Sequence, residues 1–304
     1  MKIHSLFIIL AFFTQGFQKL DAQTDIDGLM MSKHNLCSGL IFGKSNWKNY
    51  WEGDFKRTNG NFGNVISNQV TLMANYGLRR NTNIIAMLPY MSNKATQGTM
   101  IGMNGLQDLS VLVKQKIKDK TIKQIEWSLL ATAGISTPSH KYIADYLPLA
   151  IGLGAKTAHG RIIIDGQKNN FYITAASALI LRTNVTIDRD AYFTTHLVYG
   201  TEVVMPNIWV NNFKIGYRKN ADRYVEIIID QQKTLGGFDI RKNDMPFLSN
   251  AMNFWRTGVN FKYQLPQSES FSLIGNIATT LHGRNVGQAT MINLGVFFQT
   301  SLKQ

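Results

Sequence analysis

Residues 66–78 alternate apolar and polar side chains almost without interruption, and this pattern constrains the fold more than any other feature of the chain. One face carries Ile66, Val70, Leu72, Ala74, Tyr76 and Leu78, and the other carries Ser67, Gln69, Thr71, Asn75 and Arg79. Because successive side chains of a strand point to opposite faces, the pattern predicts a long strand with one apolar and one polar face. Strands of soluble domains usually have about 5–6 residues. The length therefore favours a membrane barrel, with lipid outside and water inside.

The same alternation returns along the rest of the chain. It is clear at residues 84–90, 109–117, 125–135, 171–183, 191–203, 255–265, 268–281 and 290–298, and weaker at 36–44, 159–166, 208–217 and 224–229. Bacterial single-chain barrels have even strand numbers. We therefore predict an all-β fold, a transmembrane antiparallel up-and-down β-barrel of 12 to 14 strands. A large secreted β-sandwich shares the alternation and is the alternative.

The N-terminus has the features of a secretory signal peptide. Lys2 and His4 precede an apolar run at residues 6–13, and Ala22 supplies the small residue at the cleavage site. We predict a signal peptide at residues 1–22 and one barrel domain at 23–304. Within it, residues 23–63 form an N-terminal segment that lies partly outside the barrel or in the lumen. The single cysteine, Cys37, lies too far downstream for a lipid anchor and has no partner for a disulfide.

The composition is consistent with the outer membrane of a Gram-negative bacterium. Charged residues make up 17% of the chain, below the roughly 25% of soluble domains. The 17 Phe and 11 Tyr suit aromatic girdles at the two membrane interfaces. The expected surroundings are outer-membrane lipid and lipopolysaccharide, with the barrel-assembly machinery as a partner during biogenesis.

The predicted connections have two sizes. Short polar turns are expected at residues 79–81, 118–120, 167–169 and 266–268, and long loops at 45–63, 91–105, 136–158 and 234–253. Barrels of about eight strands are filled by side chains, and those of 16–18 leave an open channel. A barrel of intermediate size is wide enough for a small solute and is easily narrowed. This favours a selective conduit over a general diffusion pore.

Short motifs give the chain a family resemblance. Residues 105–114 (GLQDLSVLVK), followed by Gly134-Ile135-Ser136-Thr137-Pro138, resemble the "GLGD…K…K-PTG" pattern of the outer-membrane family named for the MetA pathway of phenol degradation. Gln107 replaces the second glycine of the pattern, and Ser-Thr-Pro replaces Pro-Thr-Gly. The family is related to long-chain fatty-acid and aromatic-hydrocarbon transporters. The resemblance implies passive uptake of small hydrophobic molecules.

The alternation also predicts which side chains line the lumen. Leu72 and Phe261 are expected to face lipid. The predicted lumen-lining residues are Gln69, Asp108, Lys114, Glu126, Arg256 and Lys262. The formal net charge of +13 is spread over strands and turns, which argues against nucleic-acid binding. The lysines of the chain either draw anionic solutes into the lumen, contact lipopolysaccharide phosphates or are simply solvated.

Two long loops are unusually rich in apolar and aromatic residues. They provide five candidate residues for capture of a solute at the barrel mouth: Tyr142, Tyr146, Phe238, Met245 and Phe247. The alternative is that these loops pack against each other and close the top of the barrel. Both interpretations remain open at the level of sequence.

Catalytic and cofactor signatures are weak. His196 and His282 are candidate inward residues, but neither lies in a recognisable motif, and no zinc-binding spacing occurs. Residues 152–157 (GLGAKT) have Ala155 where a phosphate-binding loop needs glycine. We predict no catalytic, metal or cofactor site. The predicted function is transport of small hydrophobic or amphipathic, including aromatic, molecules. The alternative is a non-transport barrel, such as an adhesin, a receptor or a structural protein.

Overall fold

The protein is a closed antiparallel β-barrel of twelve strands. The computed structural model describes residues 24–242, 244–266, 268 and 270–302, so the predicted signal peptide lies outside the described residues. The barrel strands, in the chain-order numbering used below, are β1 (Asn35–Trp47), β4 (Val65–Arg79), β5 (Thr82–Ala95), β7 (Asp108–Ile122), β8 (Ile125–Pro138), β9 (Thr157–Lys168), β10 (Phe171–Arg182), β15 (Asn207–Asn220), β16 (Arg223–Leu235), β17 (Asn253–Gln264), β18 (Phe271–Arg284) and β19 (Thr290–Ser301). Within this described part, no helix is long and apolar enough to cross a membrane.

Seven shorter strands lie outside the barrel ladder or extend it locally. They are β2 (Asn49–Glu52), β3 (Phe55–Thr58), β6 (Met103–Leu106), β11 (Val185–Thr186), β12 (Ala191–Phe193), β13 (Leu197–Tyr199) and β14 (Glu202–Val203). β6 pairs with the outer part of β5, and the others form three small two-stranded sheets in the loops. They give the long loops internal structure.

The barrel strands follow one another around the wall in chain order, and β1 closes the circle. It pairs with β19 from Asn35↔Ser301 to Asn46↔Thr290, and with β4 from Leu36↔Tyr76 to Trp47↔Val65. The predicted transmembrane up-and-down barrel is confirmed, with the strand number at the lower end of the predicted range.

The two ends of the barrel differ in their connections. Five short turns, at residues 80–81, 123–124, 169–170, 221–222 and 265–270, lie at one end together with the start of β1 and the end of β19. The long loops at 48–64, 96–107, 139–156, 183–206 and 236–252 lie at the other end, with the shorter connection 285–289. Outer-membrane barrels have short periplasmic turns and longer extracellular loops. The first end is therefore periplasmic and the second extracellular.

Two details of the predicted strand pattern are wrong. Residues 191–203 do not cross the membrane but form the extracellular hairpin β12–β13 and strand β14, since each arm of a hairpin also alternates. By contrast, the four segments with weaker alternation, at 36–44, 159–166, 208–217 and 224–229, are all barrel strands. The turn predicted at 118–120 lies inside β7, and the chain reverses at Lys123 and Gln124, where φ is 49° and 63°. Positive φ at both central residues is the geometry of a tight hairpin turn.

The outward face of the barrel is apolar and places the protein in the outer membrane. Leu72 is 54% exposed and Phe261 is 43% exposed, both at outward positions of their strands. Aromatic residues mark the periplasmic edge of this band, where the ring of Phe171 packs edge-on against Tyr217 with centroids 5.6 Å apart. Trp209 lies outward near the extracellular end. Exposed apolar side chains between aromatic girdles are the lipid-facing surface of a membrane barrel.

We predict that arginine at Leu72 impairs barrel assembly and that arginine at Gln69 does not. Leu72 lies in the middle of β4 on the lipid-facing side, where arginine costs about 2–4 kcal/mol. Gln69 lies on the opposite, lumen-facing side of the same strand. The measurement is the fraction of heat-modifiable, folded barrel in outer membranes after Leu72→Arg or Gln69→Arg. Equal loss in both variants would contradict the assigned facing.

Candidate functional site

A row of polar side chains crosses one wall of the lumen. Asn293 donates to Asn276 at 2.9 Å, Asn276 donates to Asn260 at 2.5 Å, and Asn260 donates to Glu226 at 2.7 Å. Lys214 then pairs with Glu226 at 3.1 Å. These residues occupy the inward positions of five consecutive strands, β19, β18, β17, β16 and β15. A row of this kind satisfies its own hydrogen bonds and presents a polar surface to the lumen.

The neighbouring wall contains a buried ion pair. Arg218 on β15 donates to both carboxylate oxygens of Asp165 on β9, at 3.1 and 3.2 Å. The guanidinium lies 3.7 Å from the ring centroid of Tyr172, and Thr174 donates to the same Asp165 carboxylate. Bidentate pairing and stacking hold the guanidinium in one orientation. This side of the lumen is therefore filled by paired charges.

The residues before β1 run inside the barrel, and residues 24–34 are called the plug below. The Asp27 carboxylate fixes the turn of the plug, because it accepts from the backbone N–H of Thr24 and of Leu29. It also accepts from Nζ of Lys114 at 2.6 Å, and the same Nζ donates to the Thr24 carbonyl at 2.9 Å. Lys114 is fully buried. One ion pair thus joins the plug to the barrel wall.

A second ion pair and an apolar contact fix the two ends of the plug. Asp25 pairs with Arg161 on β9. Met31 is fully buried in a cluster that contains Met73, Ile85 and Phe297 on three different strands. Burying a side chain of this size stabilises by about 1.5–3 kcal/mol. The plug is therefore held by charges at its start and by apolar packing at its end.

Two glycines permit the close approach of the plug to the structures around it. A Cβ on Gly77 in β4 would lie 2.0 Å from the carbonyl oxygen of Ser32. A Cβ on Gly28 would lie 2.1 Å from Cγ of Asp165. Either side chain would displace the plug from its present position.

The structure places the six predicted lumen residues in different environments. Lys114 contacts the plug, and Lys262 pairs at 2.5 Å with Asp222 of the β15–β16 turn. Neither lysine is therefore a free cation that attracts solutes.

The other four residues lie along the length of the barrel. Gln69 is half-buried and donates to Thr71 at 2.6 Å. Arg256 is half-buried, opposite Asp230 in the ladder, with its guanidinium 4.4 Å from the ring centroid of Phe254. Asp108 and Glu126 lie at opposite ends of the barrel. Asp108 is at the extracellular end of β7, and Glu126 is exposed at the periplasmic end of β8.

The extracellular loops pack against each other over the mouth of the barrel. Ala144, Val185, Val203 and Leu248 come from three loops and form the buried centre of this cap. Tyr142 packs against this centre, and its hydroxyl donates to Asp108 at 2.7 Å. Burial and this hydrogen bond raise the pKa of Tyr142 well above its usual range. The loop aromatics therefore contribute to closing the top of the barrel.

The other four capture candidates occupy different parts of the cap. Phe247 packs on the cap centre and lies between Tyr192 and Phe238, with ring centroids 5.3 and 6.4 Å away. Met245 is 45% exposed. Tyr146 is half-buried, and its hydroxyl accepts from the backbone N–H of Ile101 at 3.1 Å.

A cleft of about 190 Å³ opens between these loops, and we call it the mouth cleft. Its aromatic and apolar lining is Tyr192, Phe193, Phe238, Ile240, Met245, Pro246 and Phe247. Two ion pairs also line it, Arg189–Asp145 and Arg241–Asp244, each with a separation of 2.7 Å. The Arg241 guanidinium lies 3.7 Å from the centroid of Phe193. The cleft therefore combines aromatic faces with paired charges.

Sequence reasoning missed the residue that joins the cap to the barrel, Asn285. Its side-chain oxygen accepts from the backbone N–H of Gly53 and of Ile240, and its amide donates to Asp239 and to the carbonyl of Ala251. Its φ is 54°, a conformation that asparagine tolerates better than most residues. The sequence Gly-Arg-Asn-Val-Gly at 283–287 is typical of a turn and could have identified Asn285 as a turn residue.

Asp239 strengthens the same junction. It accepts two hydrogen bonds from Arg284, at 2.7 and 2.6 Å, and these bonds lower the pKa of its carboxyl below the usual value. Asp239 belongs to the loop 236–252, which also supplies most of the mouth cleft. The ion pair therefore holds that loop against the end of β18.

Comparison with solved structures places this geometry among known barrels. The COG4313 outer-membrane channel of Pseudomonas putida F1 superposes with a TM-score of 0.71 over 92% of this chain and 99% of that chain, at 13% identity. The NanC porin gives 0.47 at 8% identity, over 85% and 98% of the two chains. The outer-membrane protein OprD of Pseudomonas aeruginosa gives 0.37 at 8% identity, over 93% and 98%. The chain has the fold of an outer-membrane channel.

Sequence comparisons add nothing to this. No family model matches the chain, and no curated protein is significantly similar to it. The phenol-degradation family suggested by the motifs therefore remains a prediction.

The histidines and the glycine-rich segment lie apart from one another. His196 is exposed in the β12–β13 hairpin, whereas His282 is at the extracellular end of β18, with its ring 6.0 Å from that of Trp51. Residues 152–157 belong to the loop between β8 and β9 and to the first residue of β9. Among the residues that the structure describes, no three metal-binding side chains form a cluster.

We predict that Asp27→Asn releases the plug and increases conductance. The substitution leaves the buried Lys114 ammonium without its charge partner, and removing one partner of a buried ion pair costs about 3–5 kcal/mol. The measurement is single-channel conductance of the purified protein in planar bilayers. Asp119→Asn is the matched control, because Asp119 pairs with Lys116 at the exposed periplasmic end of β7. Unchanged conductance in Asp27→Asn would show that the pair does not hold the plug.

Proposed function

We propose that the protein carries small hydrophobic or amphipathic molecules, including aromatic ones, passively across the outer membrane. The observation that supports this most directly is the mouth cleft, in which aromatic rings and charged groups meet at the extracellular end of the barrel. Sites for small ligands are typically concave, largely apolar and equipped with a few polar groups. The cleft is concave and contains aromatic side chains, and its exposed lining is mostly polar, which suits an amphipathic solute better than a purely hydrophobic one.

The size and chemistry of the mouth cleft support a small amphipathic solute in this proposal. Its volume of about 190 Å³ is below the roughly 300–1,000 Å³ of pockets for drug-sized ligands, which favours a molecule of one or two rings. Phe238 and Phe247 contribute aromatic surface to the lining of the cleft. Arg241 and Asp244 supply a donor and an acceptor for a polar group on the solute. An amphipathic aromatic molecule matches both features.

The interior of the barrel supports a selective conduit. The row Asn293–Asn276–Asn260 offers donors and acceptors along one wall, while the plug occupies the lumen between β7 and β9. A solute that leaves the mouth cleft meets this constriction before it reaches the periplasm. In this proposal the plug moves when a solute passes, and large hydrophilic molecules are excluded.

Two further observations agree with this proposal. The Pseudomonas putida protein of similar fold is itself described as an outer-membrane channel. The motifs at residues 105–114 and 134–138 resemble a family associated with uptake of hydrophobic compounds. The aromatic solute class rests on the mouth cleft and on this resemblance.

We predict that Phe238→Ala/Phe247→Ala slows uptake of a small aromatic solute into liposomes severalfold and leaves assembly intact. Both rings belong to the loop 236–252, outside the barrel ladder, so their loss removes aromatic surface from the cleft and leaves the closed wall in place. The measurement is the initial rate of phenol uptake into liposomes that contain the purified barrel. Tyr199→Ala is the matched control, because Tyr199 is 82% exposed in the β12–β13 hairpin and does not line the cleft.

The possible outcomes separate the alternatives. Large steady conductance with no effect of the double substitution on phenol uptake would favour a general porin. No uptake above that of empty liposomes, for phenol or for small sugars, would favour a non-transport barrel such as an adhesin or a receptor.

A further inference from the structure

A groove of about 520 Å³ lies on the outside of the barrel and shares no lining residue with the mouth cleft. We call it the wall groove. It is lined by Ile162, Ile164, Ala175, Ala176, Ser177, Asn211, Asn212, Phe213, Ile229, Gln231 and Trp255, which come from strands β9, β10, β15, β16 and β17. The large apolar members of this set face outward, so the groove opens to the bilayer.

The groove exists because small side chains lie between large ones. Ala175 and Ser177 hold the outward positions of β10 at its floor. Ile162 and Ile164 on β9 rise on one side, and Phe213 on β15 rises on the other, each between 43% and 59% exposed. An apolar concavity of this kind in a lipid-facing wall accommodates hydrocarbon chains.

A chain of hydrogen bonds runs through the groove and ends on an amide with an unused donor. The Trp209 indole N–H donates to Ser177, and Ser177 donates to Asn211, both at 2.8 Å. Asn211 donates to the side-chain oxygen of Gln231 at 3.0 Å. Nε2 of Gln231 has no acceptor among the described residues. An unpaired amide in hydrocarbon costs several kcal/mol. The groove therefore offers a donor to a ligand with an oxygen acceptor.

The polar groups are layered in the direction of the membrane normal. Asn211 and Gln231 lie four residues inside the extracellular ends of β15 and β16. Trp209 is the next outward residue of β15 after Asn211 in the direction of the extracellular end, and it belongs to the aromatic girdle. Lys233 lies two residues beyond Gln231 on the same face of β16, is exposed, and makes no ion pair with any described residue. From the membrane centre outward, the wall therefore presents apolar side chains, then the two amides, and then the indole and the cation at the same level.

We infer that the wall groove binds the acyl region of an outer-leaflet lipopolysaccharide molecule. Its hydrocarbon chains lie against Ile164 and Phe213, an acyl carbonyl accepts from Nε2 of Gln231, and a lipid A phosphate contacts Lys233. The layers of the wall match the order of chain, carbonyl and phosphate in this lipid. The extracellular position of the amides selects the outer leaflet, which consists of lipopolysaccharide. This inference depends on the outer-membrane location and stands apart from the proposed transport.

Two other occupants fit the wall less well. A second copy on a two-fold axis through the groove would place the concave surface opposite itself, and two facing concave patches leave a void between them. A solute from the lumen would have to cross the wall, but β10 and β15 are paired without a break from Phe171↔Tyr217 to Ile180↔Ile208. The bilayer is the open route to the groove.

The test is native mass spectrometry of the mature protein in detergent, titrated with hexa-acylated bis-phosphorylated lipid A or with phosphatidylethanolamine. Wild-type protein should bind lipid A more tightly than phosphatidylethanolamine. Asn211→Leu/Gln231→Leu should weaken lipid A binding about tenfold, the effect of losing roughly 1.4 kcal/mol. Lys233→Gln should weaken binding of bis-phosphorylated lipid A and leave binding of its dephosphorylated form unchanged.

Matched control variants replace the same types of side chain, an asparagine and a lysine, in another part of the wall. Asn68→Leu and Lys94→Gln change exposed outward side chains near the extracellular ends of β4 and β5, and both variants should bind lipid A like wild type. Heat-modifiable migration verifies that every variant folds. Equal lipid A binding by wild type and Asn211→Leu/Gln231→Leu would overturn the inference, as would equal binding of the two lipids by wild type. A wild-type dimer that this double variant abolishes would overturn it in favour of a second copy.

Discussion

Closure of the backbone hydrogen-bond ladder is the constraint on which the rest of this structure depends. At membrane depth an unpaired strand edge meets no water, so each edge needs a partner. Strand β1 supplies it by pairing with β19 on one side and β4 on the other. Strand β1 begins at the periplasmic end, and the plug that precedes it lies inside the barrel against inward side chains of the wall. His34 makes this junction, since its N–H donates to Gly77 and its carbonyl accepts from Leu302.

The position of the plug has consequences for the lumen. Twelve strands enclose more space than the roughly eight whose interior side chains fill, and the plug with its paired charges occupies part of the remainder. Lys114 is fully buried, with Asp27 against it as its charge partner. The loops close the opposite end through the Asn285 junction. In the proposed function, a solute that passes through the barrel meets the cap at one end and the plug at the other, as expected for a selective conduit.

The strand predicted at residues 191–203 is wrong for a physical reason. Residues 191–203 alternate as well as any barrel strand, yet they fold as a hairpin in the cap. Alternation shows that a segment has one apolar and one polar face, but it does not show whether lipid or other parts of the protein cover the apolar face. The weaker segment at 159–166 is a barrel strand whose inward face carries Arg161 and Asp165. Their partners, Asp25 and Arg218, come from distant parts of the chain. The periodicity of the sequence contains no information about such long-range ion pairs.

The alternation by itself determined the barrel, its approximate strand number and the side of the wall on which Leu72 lies, because the period of two is a local property of an extended chain. Only the tertiary structure decided that Lys114 is paired and not free, since its partner Asp27 lies 87 positions earlier. It also decided that Phe247 packs in the cap and that Gln231 faces a groove. Each of these depends on which strands become neighbours when the barrel closes, and no local pattern carries that information.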